Sequence, residues 1–477
     1  MTAPADDHGG DHDHGEEVDI VVIGMGPGGE DVAGRLAEAG LSVVGIDELL
    51  VGGECPYWGC IPSKMMIRAA NLLAEGRRIR GTAGSAVVVP DWAPVAARIR
   101  AEATDDWNDQ VAVDRFEGKG GRFVRGTGRL VERDSVRVGD LTFRARRGVV
   151  LASGTVASIP PIPGLADVAY WTNREAIETE TVPTSLVVLG GGAIGVELAQ
   201  VFARFGSEVT VVEAAARLLP LEEPESGPIV AEALAVDGVE VRVATSAVAV
   251  THHGDNFTVE LADGTRVTAE RLLVATGRRA DLARVGAAVA GVPADARWIP
   301  VDDRLRVTDG VWAVGDITGK GAFTHVAMYQ SAIAVADILG ASSPAATYRA
   351  LPRVTFTDPE VGSVGLSEAA AGDAGIDVAV GTAAVPSTAR GWIHKVGNDG
   401  FIKLIVDRRR SVLVGATSVG PVGGEVLGML TLAVHGEIPI DTLRSMIYAY
   451  PTFHRGVEDA LRDLDVGIPG EASGFRV

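Results

Sequence analysis

Cys55 and Cys60 are the two cysteines of a 477-residue chain, and they stand five positions apart. Two thiols that fall together in so long a chain point to redox or metal chemistry rather than to a structural staple. Their setting is Gly52-Gly53-Glu54-Cys55-Pro56-Tyr57-Trp58-Gly59-Cys60-Ile61-Pro62-Ser63-Lys64. In a regular helix, positions five apart rise by about 7.5 Å and are rotated by roughly 140°, which puts their Cα atoms beyond the reach of a disulfide. A bridge therefore needs a distorted turn, for which Pro56 and Gly59 are suited. Lys64, four residues beyond Cys60, can help hold a thiolate. Trp58, between the cysteines, is either a stacking surface for a substrate or a core anchor.

The elements that must position this segment come as a repeated pattern. DIVVIG is a short apolar run rich in β-branched residues, as a buried parallel strand requires. It runs into Gly24-Met25-Gly26-Pro27-Gly28-Gly29, an amphipathic helix, and a second strand ending at Asp47. SLVVLG then leads into Gly190-Gly191-Gly192-Ala193-Ile194-Gly195, another helix, and a strand ending at Glu213. Each copy has the grammar of a dinucleotide-binding βαβ unit. The first glycine permits a tight turn, the second lets backbone approach a pyrophosphate, and the third lets helix close on strand. The helix N-terminus faces the phosphates, and the closing acid accepts from a ribose hydroxyl. Two copies in full context predict two bound dinucleotides.

Later segments complete the frame. LASG (151–154) and ATGR (275–278) close the two copies in parallel fashion, and VWAVGDITG (311–319) sets a strand before Gly315-Asp316. A helical, Arg-rich region is expected over 64–110. From Leu351 the texture changes to alternating β-type runs and then helices over 425–436, 441–449 and 453–464. The net charge of −20 excludes a nucleic acid or an anionic membrane as main partner, since both need a basic footprint. No apolar run is long enough for a transmembrane helix. The acidic N-terminus lacks the regions of a signal peptide, so a cytoplasmic location is expected. Residues 1–17 read as an acidic tail in which His8, His12 and His14 alternate with Asp, either simply solvated or weakly metal-binding. No other spacing suggests a metal site. His252–His253 reads as the approach to a hairpin, and His325 as packing or as backbone near a cofactor.

The segment 52–64, both glycine motifs, ATGR, Gly315-Asp316 and TDPEVGSVGLSE (357–368) together resemble the pyridine nucleotide–disulfide oxidoreductases, the flavoprotein family of dihydrolipoamide dehydrogenase, glutathione reductase and mercuric reductase. The resemblance spans about Val18 to Asp465. It implies an α/β fold with two Rossmann-like dinucleotide-binding domains and a C-terminal α+β dimerisation domain. The implied divisions are a tail over 1–17, FAD-binding segments over 18–155 and 280–347, an NAD(P)-binding domain over 156–279, an interface domain over 348–470 and a tail over 471–477. FAD is implied on Gly24, Gly26, Gly29, Asp47, Gly53, Ser153, Gly154, Gly315 and Asp316. NAD(P)H is implied on Gly190, Gly192, Gly195, Glu213 and Gly277, with NADH preferred because Glu213 stands where a carboxylate repels a 2′-phosphate. Arg217, four residues on, softens that preference if its charge is available. By resemblance Cys55 exchanges with substrate, Cys60 contacts the flavin, Lys64 pairs with Glu197, and a homodimer completes the site.

The family ends on His-Pro-Thr with a Glu three residues later, an acid–base pair for dithiols. Here the chain reads Tyr450-Pro451-Thr452-Phe453-His454-Arg455. A phenol ionises near pH 10 and is a poor base at neutrality, whereas proton transfer by a well-placed histidine contributes about 10²- to 10⁴-fold in rate. The expected acceptor is therefore a soft metal ion or a quinone rather than lipoamide or glutathione. Two alternatives stand beside it. One is a small-disulfide reductase in which His454, one helical turn from Tyr450, serves as a displaced acid–base. The other is a non-turnover, electron-transferring or redox-sensing flavoprotein subunit.

Overall fold

The computed structural model describes residues 15–464. His8, His12 and His14 lie outside the described residues, as does everything after Leu464. Contacts divide the chain into two units, and the chain passes between them more than once. One unit holds the chain up to Cys55, Trp107–Val156 and Arg279–Ala346; the other holds Pro56–Asp106, Ala157–Arg278 and the chain from Thr347.

The first unit is built on a parallel sheet. Its strands run in the order Val311–Ala313, Leu141–Leu151, Glu16–Ile23, Val43–Asp47, Arg122–Arg125. The strand at Glu16–Ile23 starts three residues before the DIVVIG run because Glu16, Glu17 and Val18 pair in register with Phe143, Arg144 and Ala145. Ile20, Val21 and Val22 are wholly buried, as expected of a strand covered on both faces. After Ile23 the chain enters the helix Pro27–Glu38 and returns as Val43–Asp47 on one side, while Leu141–Leu151 lies on the other. Gly24 thus sits where the connections diverge, the crevice in which open α/β sheets bind ligands.

The second unit repeats this plan. Ser185–Leu189 lies between Glu208–Val212 and Arg271–Val274, all parallel, with the helix Ala193–Arg204 following Gly192. A three-stranded antiparallel meander, Ala247–His253, Asn256–Leu261 and Arg266–Ala269, adjoins it in sequence; His252 and His253 do lead into a hairpin. The C-terminal part is a five-stranded antiparallel sheet in the order Pro352–Thr355, Glu360–Gly365, Val412–Gly420, Phe401–Asp407, Val378–Ala384. Leu404, Val406 and Ala416 of that sheet share a core with Leu427 and Leu430 of the helix Gly423–His435 and with Val457 and Leu461 of the helix Gly456–Asp463.

Three expected helical stretches are shorter than the sequence suggested: 64–110, 441–449, where the helix is Ile440–Ser445, and 453–464. The helix Cys60–Arg78 stops well before residue 110, because Gly81 and Gly84 adopt positive φ and the next helix starts only at Ala93. The last helix begins at Gly456 rather than 453. Tyr450 precedes proline, which steers it away from the helical region, so Tyr450 and His454 are not one helical turn apart.

The helices Cys60–Arg78 and Ala193–Arg204 are joined by two polar rungs. Lys64 Nζ donates to Glu197 Oε2 at 2.8 Å, and an Arg204 Nη donates to Asn71 Oδ1 at 2.6 Å. Each partner of the second rung lies seven residues, two helical turns, beyond its counterpart in the first, so the helices run side by side in the same direction. Arg204 is 1% exposed and also pairs with Asp237 and Asp358, each at 2.8 Å. Arg78 reaches the same Asp358 carboxylate at 2.7 Å, and Gln200 exchanges two hydrogen bonds with the Asp358 backbone. Burial by itself would raise the Asp358 carboxyl, but the two guanidinium groups outweigh it and hold the carboxyl below its ordinary value.

Removing one member of a buried ion network strands its partners, at a cost of about 3–5 kcal/mol. Arg204→Met is expected to lose stability on that scale at pH 7, read as a lower midpoint in urea unfolding. A carboxyl with a depressed folded pKa contributes stability above its unfolded value and loses it as the pH falls through the folded one. The difference between wild type and Arg204→Met is therefore full at neutral pH and narrows progressively below about pH 4.

Candidate functional site

In the first unit, close backbone contact shapes the cradle at the end of Glu16–Ile23. Gly24 has φ +97°, and a Cβ there would lie 2.4 Å from Ala152 O and 2.6 Å from Ser153 Cα. A Cβ on Gly29 would lie 1.9 Å from Gly24 O, so only glycine lets the helix close on the strand. Gly53 has φ +66°, and its Cβ would fall 2.7 Å from Gly26 Cα, which sets the start of the cysteine segment directly against the glycine loop. Asp47 accepts from Met25 N at 2.7 Å and from Leu49 N at 2.8 Å. Burial pushes its carboxyl above the ordinary range despite those bonds.

The same unit places Ser153 and Gly154 (φ +65°) just after the strand Leu141–Leu151, with Thr155 donating to Asp316 Oδ2 at 3.0 Å. Gly315 (φ +82°) gives its N–H to Gln330 Oε1 at 2.6 Å, and Gln330 Nε2 donates to Thr318 Oγ1 at 3.0 Å. Gln330 is fully buried and fixes the Gly315-Asp316 turn. Sequence reasoning missed it; the available signal was the one amide side chain in the helix Thr324–Ile338. His325 stacks against Phe323 with ring centroids 5.1 Å apart.

In the second unit the cradle is repeated almost atom for atom. Gly190 has φ +111°, a Cβ on Gly195 would lie 2.0 Å from Gly190 O, and Gly192 faces open space. Glu213 accepts from Gly191 N and Ala215 N, both at 2.6 Å, as Asp47 does from its own loop. Gly277 (φ +109°) accepts from Ser158 N at 2.9 Å. Both cradles present a close-approach glycine loop, a helix N-terminus and a carboxylate, a donor set that fits a dinucleotide. The Arg217 guanidinium donates to three carbonyl oxygens, those of Leu219 at 2.7 Å, Pro220 at 3.0 Å and Glu222 at 2.9 Å. It thereby braces the loop that follows it.

The cysteine segment is not one continuous helix. A short turn of helix, Glu54–Tyr57, ends before Trp58, Gly59 adopts φ −131° and ψ −120°, and a new helix starts at Cys60. This is the distortion that the spacing of the thiols requires. Cys55 is half-buried and Cys60 exposed. Beyond them, Lys64 pairs with Glu197, whose other oxygen accepts from Phe356 N at 2.7 Å, and Lys64 Nζ lies 4.6 Å from the Phe356 ring centre. Trp58 is 8% exposed, the burial expected of an anchor. Tyr450 is 69% exposed with the Arg455 guanidinium 5.1 Å over its ring, while His454 Nε2 meets Thr452 Oγ1 at 3.4 Å.

Residues 18–331 match the family model described as pyridine nucleotide-disulphide oxidoreductase, and residues 351–461 match the dimerisation domain of the same family. The chain belongs to the pyridine nucleotide-disulphide oxidoreductases. As a member it is an FAD-dependent oxidoreductase that uses NAD(P)H. A mercuric reductase of Acidithiobacillus ferrooxidans is 32% identical over 467 residues, 95% of this chain and 84% of that protein. A dihydrolipoyl dehydrogenase of Haloferax volcanii is 32% identical over 465 residues, 93% of this chain and 95% of that protein. Among solved structures, the Cu(II) complex of the HOCl-induced flavoprotein disulfide reductase RclA from Escherichia coli has a TM-score of 0.82 at 26% identity, covering 94% of this chain and 99% of that one. Among the described residues of this oxidoreductase no helix is long and apolar enough to cross a membrane, and no cluster of His, Cys, Asp and Glu could hold a metal ion.

Gly53 combines a positive φ with a Cβ position closed off by Gly26 backbone. Gly53→Ala is expected to purify with well under half the flavin of wild type, measured as the ratio of flavin to protein absorbance.

Proposed function

We propose that this flavoprotein disulfide oxidoreductase passes electrons from NADH through the Cys55–Cys60 couple to a soft metal ion, Hg²⁺ or Cu²⁺, or to a quinone, in preference to lipoamide or glutathione. The observation that carries this is at Tyr450: an exposed phenol under a guanidinium stands where the family has its acid–base histidine. Turnover of a dithiol needs a base that moves a proton between substrate sulfur and Cys55. Reduction of a soft cation by two thiolates needs only that they reach it deprotonated. The similarity to a mercuric reductase and to a protein studied as its Cu(II) complex supports the same acceptor class.

FAD, when bound, supplies the two-electron relay between nicotinamide and sulfur. The chain's own residues do the rest. The cradle at Gly24–Gly29 and Asp47 holds that cofactor, and the cradle at Gly190–Gly195 and Glu213 holds the coenzyme. Lys64, kept in place by Glu197, carries the positive charge that stabilises the Cys60 thiolate. Cys55, the more N-terminal sulfur, meets the acceptor. Two electrons and one proton from NADH, with one further proton, open the disulfide to two thiols. The same two electrons then convert Hg²⁺ to Hg⁰, or two Cu²⁺ to two Cu⁺, as the two thiols re-form the disulfide and release two protons. We take the working unit to be a homodimer in the cytoplasm, in keeping with the dimerisation domain over 351–461.

NADH is the expected reductant. Glu213 would repel a 2′-phosphate, and Arg217 is held by carbonyl oxygens, so kcat/KM with NADH is expected to exceed that with NADPH by at least tenfold. A ratio favouring NADPH overturns the assignment. For the acceptor, a panel at fixed NADH compares Hg²⁺, Cu²⁺, quinones, lipoamide and glutathione disulfide on wild type, Tyr450→Phe and His454→Ala. Metal ions or quinones are expected to be the faster substrates, with His454→Ala within a few-fold of wild type. Rapid lipoamide turnover that collapses in His454→Ala would mean that the acid–base function has moved to His454.

A further inference from the structure

Trp58 stands between Cys55 and Cys60 and is held from three directions by one short helix, Asn173–Glu178. Its indole N–H donates to Glu178 Oε1 at 2.6 Å. Its backbone carbonyl accepts from Asn173 Nδ2 at 2.7 Å. Its ring face lies under the Arg174 guanidinium, 4.5 Å from the ring centre. The helix is itself well fixed. Thr172 and Glu175 form a capping box, and Ala176 and Ile177 are buried. Just before it, Trp171 exchanges backbone hydrogen bonds with the strand Arg271–Val274, accepting from Val274 N at 2.8 Å and donating to Leu272 O at 2.7 Å.

We infer that Trp58 is a positioning residue for the redox pair: clamped by the helix Asn173–Glu178, it fixes the chain between the two cysteines and so sets how readily their disulfide opens. The break in helix at Trp58-Gly59 makes this segment the one place where the spacing of the sulfurs is decided. A distorted turn left to itself samples many geometries, and each unproductive one lowers the effective concentration of one thiol at the other. A buried indole with edge, face and adjoining carbonyl all engaged removes that freedom. The charged acceptor strengthens the edge contact, since hydrogen bonds to an ionised group are about twice as strong as neutral ones. Trp58 is assigned a role in placing the two sulfurs, not in reacting with either. It acts through the backbone that carries them.

This assignment rests on Cys55 and Cys60 being the redox couple proposed above, and one experiment separates the two. Holoenzyme is equilibrated with graded ratios of reduced to oxidised dithiothreitol, quenched in acid, and its thiols counted by alkylation and mass spectrometry. Wild type, Trp58→Phe, Glu178→Ala, Glu178→Gln and the double variant Trp58→Phe/Glu178→Ala are compared, with flavin content checked in each. Trp58→Phe and Glu178→Ala are each expected to lower the disulfide-forming equilibrium constant three- to tenfold, tenfold being about 30 mV for two electrons. Because both remove the same hydrogen bond, the double variant is expected to fall no further than either single one. Glu178→Gln, which keeps an acceptor, is expected to lie closer to wild type than Glu178→Ala. Constants within twofold of wild type in both single variants, or additive losses in the double, overturn the assignment. A wild type that never interconverts two thiols with one disulfide removes the couple itself, and the assignment with it.

Discussion

A guanidinium almost wholly withdrawn from water is tolerable only where anions and carbonyls replace the solvent. Arg204 is in that position, and the partners of its guanidinium come from three separate stretches of chain: Asn71, Asp237 and Asp358. Satisfying that one cation fixes the register of the helix after Cys60 against the helix after Gly192. Once the Asn71–Arg204 rung is set, helical geometry delivers Lys64 and Glu197 to each other two turns away. The Lys64–Glu197 pair is thus a consequence of a larger, more deeply buried constraint.

The two cradles express a second constraint. In each, the backbone N–H after the first glycine donates to the acid that closes the next strand, and the N–H two residues past that acid supplies a second bond. An aspartate does this in one unit and a glutamate in the other. The acid therefore serves the loop before it serves any ribose: it ties strand end to glycine turn and keeps the helix N-terminus aimed at the crevice. A carboxylate with two backbone donors retains lone pairs for a sugar hydroxyl, which is how one residue can hold both the loop and the ligand.

Much of this was legible in the sequence because it is local. Strand, glycine turn, helix and acid follow one another within about 25 residues; Gly24 and Gly190 adopt positive φ, and Gly29 and Gly195 are demanded by a clash with the first glycine of their own loop. The broken helix around Trp58 was legible too, from thiol spacing with Pro56 and Gly59. Gln330, the Arg204 network and the partners of Trp58 were not. Asn71 is 133 residues from Arg204 and Glu178 is 120 from Trp58, and no periodicity links positions so far apart. Arg217 illustrates a different limit. Its charge was visible, but whether that charge faces a ligand or its own loop depends on where Leu219, Pro220 and Glu222 turn their carbonyls. The one-turn spacing read between Tyr450 and His454 shows a local rule overlooked, since Pro451 already argued against helix at Tyr450.

The scarcity of sulfur has a practical corollary. With Cys55 and Cys60 the sole thiols in the chain, a thiol-directed label or a thiophilic ion has no competing cysteine at which to lodge. Uptake of a thiol-directed label is then assignable without silencing other positions: two equivalents per chain mean that both sulfurs react, and fewer mean that at least one is withheld.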